Sequence, residues 1–216
     1  MESLEEKKRR AAQIIRALKK VFPEAHCRLT FKTPFELLVK TILSAQCTDE
    51  RVNRVAEDLL KKYRGPEDFL GVSLNELEND IRPAGFFRDK ARHIRDASSL
   101  LIKEFAGQVP NTMNALIRLP GVGRKTANVL LGNVFGIPAV VVDTHVIRLS
   151  KLLQLTQHND PKKIEYDLMD ILSKKDWVLF SHLISDHGRE TCIARRPQCH
   201  RCCIEKECPS SLTARN

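Results

Sequence analysis

A short glycine-rich segment, residues 119–127 with the sequence LPGVGRKTA, carries residues that could do chemistry. Gly121 and Gly123 flank a valine, and glycine allows a very tight turn because it tolerates positive φ and lets another backbone approach closely. The N–H groups that open the following helix would then be able to bind one phosphate. Arg124 and Lys125 fall in the first turn of that helix, where the helix dipole disfavours cations, so we expect them to have a function. The alternative is a corner that only packs two helices.

The cysteines point to a metal centre near the C-terminal end. Five of the seven lie in residues 192–208, and four of them form the pattern C-x6-C-x2-C-x5-C, which does not resemble an evenly spread disulfide framework. Zinc and a four-iron cluster are both reasonable occupants, but structural zinc sites usually have two C-x2-4-C pairs and only one is present, which favours the cluster. Cys27, Cys47 and Cys203 fall outside the pattern, and we expect them to play no part in metal binding. The candidate ligands are Cys192, Cys199, Cys202 and Cys208.

The charge balance favours a polyanionic partner. Lys and Arg outnumber Asp and Glu by 36 to 27 in 216 residues, giving a formal charge of +9. Charge alone is equally compatible with a basic protein that never meets nucleic acid. No stretch reaches the roughly 20 apolar residues that span a bilayer, and the N-terminal residues mix charges of both signs, unlike a secretory signal. We therefore expect an intracellular protein with no membrane partner.

Helical periodicity dominates the sequence and predicts an all-α fold. The pattern predicts an amphipathic helix between Leu4 and Val21, a second helix opened by Pro34, and a third capped by Asp49. A β-prone run at residues 139–142 has no partner strand, so we interpret it as an extended segment buried in the core. Further helices are predicted at residues 73–80, 86–106, 111–118, 124–135, 144–155, 161–173 and 176–187.

Residues 119–127, followed by VDTH at residues 142–145, resemble the helix-hairpin-helix and following loop of the endonuclease III family of DNA glycosylases. The resemblance extends to LSAQCTD at residues 43–49 and to the cysteine spacing, which is that of the 4Fe–4S loop in this family. It implies two α-helical domains that flank a DNA-binding cleft. Residues 27–137 would form a six-helix domain with the hairpin, and residues 1–26 and 138–216 would form the cluster domain.

The resemblance implies that Lys125 is the nucleophile and that Asp143 acts with it across the cleft. A lysine amine can form and later collapse an imine at the sugar C1′, but it must first be neutral, a state that burial, neighbouring cations and a helix N-terminus favour. A carboxylate can stabilise positive charge that develops on the sugar and can relay a proton. The simpler interpretations are a solvated lysine and an aspartate that only caps its helix.

The implied substrate is damaged double-stranded DNA, from which an oxidised pyrimidine is removed before β-elimination cleaves the strand at the abasic site. The base must leave the stack because C1′ is otherwise inaccessible. By resemblance, Gln46 and Phe86 enter the space that the flipped nucleotide leaves, although many relatives have leucine at the position of Phe86. Gln46 could instead form a helix-end hydrogen bond, and Phe86 or Phe87 could belong to the core. His145 is expected either to contact a phosphate or to cap a carbonyl.

Two other functions fit the sequence. One is a monofunctional glycosylase similar to the adenine-excising enzymes, which lack the lysine at this position, so Lys125 argues against it. The other is a non-catalytic DNA-binding module with a redox cluster, which is disfavoured because both reactive positions are filled. We expect a monomer that acts in the cytoplasm on the nucleoid.

Overall fold

A computed structural model describes residues 2–213, and the regular secondary structure of these residues is entirely helical. The all-α prediction is therefore confirmed. None of the described helices is long and apolar enough to cross a membrane. The α-helices of this part of the chain are α1 (Leu4–Val21), α2 (Pro34–Leu43), α3 (Asp49–Lys62), α4 (Pro66–Gly71), α5 (Leu74–Asp80), α6 (Phe87–Phe105), α7 (Met113–Leu116), α8 (Arg124–Asn133), α9 (Thr144–Leu152), α10 (Pro161–Ile171) and α11 (Trp177–Glu190).

The chain divides into two compact units, each with its own core. The continuous unit, Cys27–Ile137, contains α2 to α8. The two-segment unit combines Met1–His26 with Pro138–Asn216 and contains α1 and α9 to α11. In the two-segment unit, α1 packs against α10 and α11, and α9 packs against α11. The face that α1 buries there consists of Ala11, Ile14, Ile15 and Leu18.

Residues 139–142 form the buried extended segment that the sequence predicts. All four side chains are buried, and Val140 and Val142 belong to the core of the two-segment unit. The Val141 N–H donates to the Ser181 hydroxyl on α11 at 2.9 Å. A side chain therefore satisfies a buried donor that a neighbouring strand would otherwise have to satisfy.

The continuous unit contains one helix that the sequence did not predict, α4. Gly65 and Pro66 at its start suggest a turn, and six residues are too few to show helical periodicity. Phe69 is nevertheless fully buried, with its ring 5.6 Å from that of Phe35 and 5.0 Å from that of Tyr63. Tertiary packing of one aromatic side chain thus stabilises a helix that would not form alone.

Asp49 does not cap α3, so that prediction was wrong by one residue. The cap is Thr48, whose hydroxyl accepts the Arg51 N–H at 3.4 Å, while Asp49 is the first helical residue. Other helix ends shift by one to four residues. The largest relative change is at α7, which spans Met113–Leu116 rather than residues 111–118 because Thr112 caps its start.

The turn between α7 and α8 is as tight as predicted, but its two glycines differ. The Val122 N–H donates to the Leu119 carbonyl at 3.0 Å, and both side chains are buried. Gly121 has a φ of 78°, and a Cβ added there would lie 2.9 Å from the Cβ of His93. Gly123 has a φ of −90° and open space around an added Cβ. The turn itself therefore requires glycine only at Gly121.

We expect Gly121→Ala to lower the free energy of unfolding by about 2 kcal/mol or more, because it combines left-handed backbone strain with a clash against His93. Gly123→Ala is the matched control and should cost less than about 1 kcal/mol, the effect of alanine at a helix start. Urea unfolding followed by circular dichroism measures both values. Equal destabilisation by the two substitutions would contradict this account of the turn.

Candidate functional site

The start of α8 offers N–H groups without a capping side chain. Helices α1, α2, α3, α5, α7, α9 and α10 each begin with a Ser, Thr or Asp whose side chain accepts a backbone N–H. At α8 the preceding residue is Gly123, which provides no such acceptor. A phosphate oxygen from outside the chain could take that place. Lys125 is exposed in the first turn of α8, and Arg124 beside it is half-buried.

Gln46 and Phe86 lie in two turns of the continuous unit, and both have left-handed backbones. Their φ values are 51° and 47°, and both side chains are exposed. Such a conformation is unusual for a bulky aromatic residue, and Phe86 is 63% exposed as well. Phe87, the next residue, is half-buried with the guanidinium groups of Arg82 and Arg88 at 5.8 and 5.2 Å from its ring. Neither phenylalanine is therefore a buried core residue.

Asp143 lies in the two-segment unit, and both oxygens of its carboxylate are held. Oδ1 accepts the Val146 N–H at 2.8 Å and so caps α9, as the simpler interpretation predicted. Oδ2 accepts the hydroxyl of Ser185 on α11 at 2.8 Å. His182, also on α11, lies near this carboxylate: burial lowers the pKa of His182, and Asp186 and Asp143 oppose that shift. The orientation of the carboxylate is thus fixed while the residue itself stays partly exposed.

Ser185 was missed by the sequence analysis. It lies 42 residues after Asp143 on another helix, and no local motif marks it. Its only signal in the sequence is a small polar residue on the buried face of α11. Contacts of this kind emerge only when distant segments pack together.

His145 packs closely against the backbone of α11. A Cβ added at Gly188 would lie 2.6 Å from Nδ1 of His145, so a glycine is needed in the interior of this helix. Glycine weakens a helix by about 1 kcal/mol relative to alanine, and close packing of the imidazole accounts for its presence. The structure therefore places His145 against α11, where its ring is half-buried.

The four predicted cysteine ligands line one cavity in the two-segment unit. Cys192, Cys199, Cys202 and Cys208 are half-buried free thiols around about 400 Å³ of space, part of it open to solvent. Within residues 2–213, no three His, Cys, Asp or Glu side chains converge on a position for a single metal ion. Thiols spread around a shared cavity fit a cluster of several metal atoms better than one zinc ion. Cys203 is exposed and does not line the cavity.

The walls of this cavity contribute hydrogen-bond donors. Nη1 of Arg148 lies 3.7 Å from the Cys192 sulfur, and Nη2 donates to the Cys192 carbonyl at 2.7 Å. Nε2 of His187 lies 3.6 Å from the Cys202 sulfur. Burial raises the pKa of the Cys202 thiol to about 11, so a positively charged metal centre would be needed to hold it as thiolate.

A salt-bridged arginine attaches the cysteine loop to the start of the chain. Arg10 on α1 donates to the carbonyls of Leu153 and Glu207 at 2.7 and 3.1 Å, and its Nε contacts the Glu2 carboxylate at 2.7 Å. Glu207 directly precedes Cys208, so this contact holds the backbone beside the last candidate ligand. Neither Arg10 nor Arg148 was identified from the sequence.

Comparisons with known proteins agree with this arrangement. The family model of HhH-GPD superfamily base excision DNA repair proteins matches residues 39–174. Endonuclease III of Synechocystis sp. is 50% identical over 206 residues, which cover 95% of this chain and 94% of that protein. Two solved structures, a non-covalent endonuclease III–DNA complex and a trapped endonuclease III–DNA covalent intermediate, each have a TM-score of 0.91 and 43% identity. They cover 96% and 97% of this chain, and 98% and 99% of their own chains are matched. On the family match and on identity across nearly its whole length, the chain belongs to the endonuclease III family of helix-hairpin-helix base excision DNA repair proteins.

Proposed function

We propose that this protein removes oxidised pyrimidines from duplex DNA and then cleaves the strand at the resulting abasic site by β-elimination. The observation that carries the proposal is the exposed amine of Lys125 in the first turn of an uncapped helix, at the tip of the hairpin. Phosphate bound at that helix start would bring the sugar–phosphate backbone beside the amine. The trapped covalent DNA complex of a related protein supports the same assignment.

In the proposed reaction, the neutral amine of Lys125 attacks C1′ while the bond from C1′ to the base breaks. The departing base takes up a proton, the amine loses one, and an imine forms between Nζ and C1′. Asp143 would stabilise the positive charge on the sugar and relay protons. Removal of a proton from C2′ then expels the 3′ phosphate, and water releases the enzyme. The Val146 N–H and the Ser185 hydroxyl keep the carboxylate of Asp143 in a single orientation for these steps.

The proposal also requires that the damaged nucleotide leave the helix. Unstacking costs a few kcal/mol, which contacts in the vacated space can offset. Gln46 and Phe86 are the proposed residues because both are exposed on turns whose backbones are already distorted. Gly123 would let the DNA backbone approach the hairpin, since a side chain at that position meets nothing within the protein itself.

We further propose that Cys192, Cys199, Cys202 and Cys208 hold a 4Fe–4S cluster. When bound, the cluster would supply iron–thiolate bonds that cross-link a loop with little other regular structure. That loop carries exposed cations that could follow a phosphate track, namely Arg195, Arg196, Arg201 and Lys206.

Lys125→Gln should abolish the covalent adduct that borohydride forms between the protein and DNA with a damaged pyrimidine, and it should abolish strand cleavage. Affinity for abasic-site DNA should change by less than about threefold, because phosphate contacts dominate affinity. Lys103→Gln removes the same charge from an exposed site in the same unit and should leave trapping intact. Base release without an adduct in the wild type would indicate a monofunctional glycosylase, and neither activity would indicate a DNA-binding module.

Ser185→Ala should slow single-turnover base release about tenfold, because Asp143 loses the hydrogen bond to its Oδ2. Affinity for abasic-site DNA should not change. The control is Ser173→Ala, which removes an exposed hydroxyl of the two-segment unit that caps no helix. A rate equal to that of the wild type would show that Asp143 does not depend on Ser185.

The purified protein should be yellow-brown and contain about four iron atoms per chain by elemental analysis. Cys202→Ser should lose most of this iron and the visible absorption, whereas Cys203→Ser, at the neighbouring exposed thiol, should keep both. Stoichiometric zinc without iron in the wild type would refute the cluster.

A further inference from the structure

Lys90 is a buried cation that the proposed reaction does not use. It lies in the N-terminal part of α6, and only 3% of its surface is exposed. Burial lowers the pKa of Lys90, and the Cys47 thiol opposes that shift. The positive end of the helix dipole also disfavours an ammonium group at this position. A residue that served only to fill this space would be better replaced by an apolar one.

The Lys90 ammonium has one hydrogen-bond acceptor among the described residues, the carbonyl of Ala84 at 2.8 Å. Ala84 ends the short 3₁₀ helix Arg82–Ala84, and the chain then reverses into α6. Gly85 and Phe86 make this reversal with φ values of 68° and 47°. Lys90 is therefore attached to the base of a turn that contains two successive left-handed residues.

This turn exposes an aromatic side chain and has little else to hold it. Phe86 is the residue before α6, and it provides no side-chain cap for that helix. The Gly85 N–H donates to the Arg82 carbonyl at 3.2 Å, and the Lys90 N–H donates to the Phe86 carbonyl at 3.2 Å. A strained conformation persists only where its surroundings determine it, and the Lys90 ammonium is the charged group that does so here.

Lys90 also lies near the second exposed turn. Cys47, whose charge acts on Lys90, directly follows Gln46 in the chain. The ammonium is thus placed beneath both turns proposed to enter the vacated space in DNA. No carboxylate of the described residues forms an ion pair with it, so its principal partner is the backbone of the Phe86 turn.

We propose that Lys90 is a positioning residue, which holds the turn of residues 84–86 so that Phe86 is ready to fill the gap left by the flipped nucleotide. The inference rests on the proposed function, because it assigns Lys90 a part in base flipping. It requires that the effect of Lys90 on the reaction pass through Phe86.

The test compares Lys90→Met with Lys40→Met. Both remove a buried ammonium from the continuous unit, but Lys40 donates to the Thr30 hydroxyl at 3.0 Å and not to a turn backbone. Duplex DNA with 2-aminopurine opposite the damaged pyrimidine reports unstacking by fluorescence, and single-turnover assays report base release. Lys90→Met should reduce the fluorescence change and slow base release about tenfold, while Lys40→Met should leave both within about twofold of the wild type.

A double-mutant cycle with Phe86→Ala separates positioning from general stability. If Lys90 acts through Phe86, Lys90→Met should have no further effect on either readout in the Phe86→Ala background. Additive effects would overturn the inference. If Lys90→Met does not fold, the same cycle applies to Lys90→Arg, whose planar fork cannot place a single N–H in the same way.

Borohydride trapping of the wild type distinguishes failure of the inference from failure of the proposed function. A normal wild-type adduct together with an unimpaired Lys90→Met variant overturns the role of Lys90 alone. Absence of the wild-type adduct overturns the lyase mechanism, and unchanged fluorescence on binding of the wild type overturns the assignment of Phe86 and of Lys90 together.

Discussion

The structure depends on how the N–H groups at the start of each helix find an acceptor. Seven helices of the described chain solve this locally with a Ser, Thr or Asp side chain. Helices α6 and α8 do not, and they begin at Phe86 and Gly123, in the two segments most directly connected with DNA in the proposed function. Helix starts left without a cap reduce the stability of the free protein, and the same N–H groups are suited to bind an anionic backbone.

Asp143 illustrates how the fold and the chemistry use the same atoms. One oxygen completes α9 and the other accepts the Ser185 hydroxyl, so the carboxylate cannot rotate without loss of a helix cap. The cap and the proposed charge stabilisation are compatible, because a carboxylate has more lone pairs than these two donors occupy. Orientation by backbone and hydroxyl donors is prepared during folding, which is the condition for effective electrostatic stabilisation.

Features set by local sequence were predictable, whereas those set by contacts between distant residues were not. The all-α class, the hairpin turn and the buried run at residues 139–142 follow from periodicity, glycine spacing and composition, and the structure confirms them. Helix α4 was missed because packing of Phe69, not periodicity, stabilises it. Ser185 and Lys90 were missed because their partners become neighbours only after folding.

The order of the chain through the two units has a consequence for synthesis. The continuous unit, Cys27–Ile137, can complete its core while later residues are still being added at the ribosome. Helix α1 emerges first, yet the surfaces that cover its apolar face, on α10 and α11, are made near the end. The nascent chain must therefore keep an amphipathic helix unpaired through most of translation, and the basic residues on its other face help to keep it in solution meanwhile.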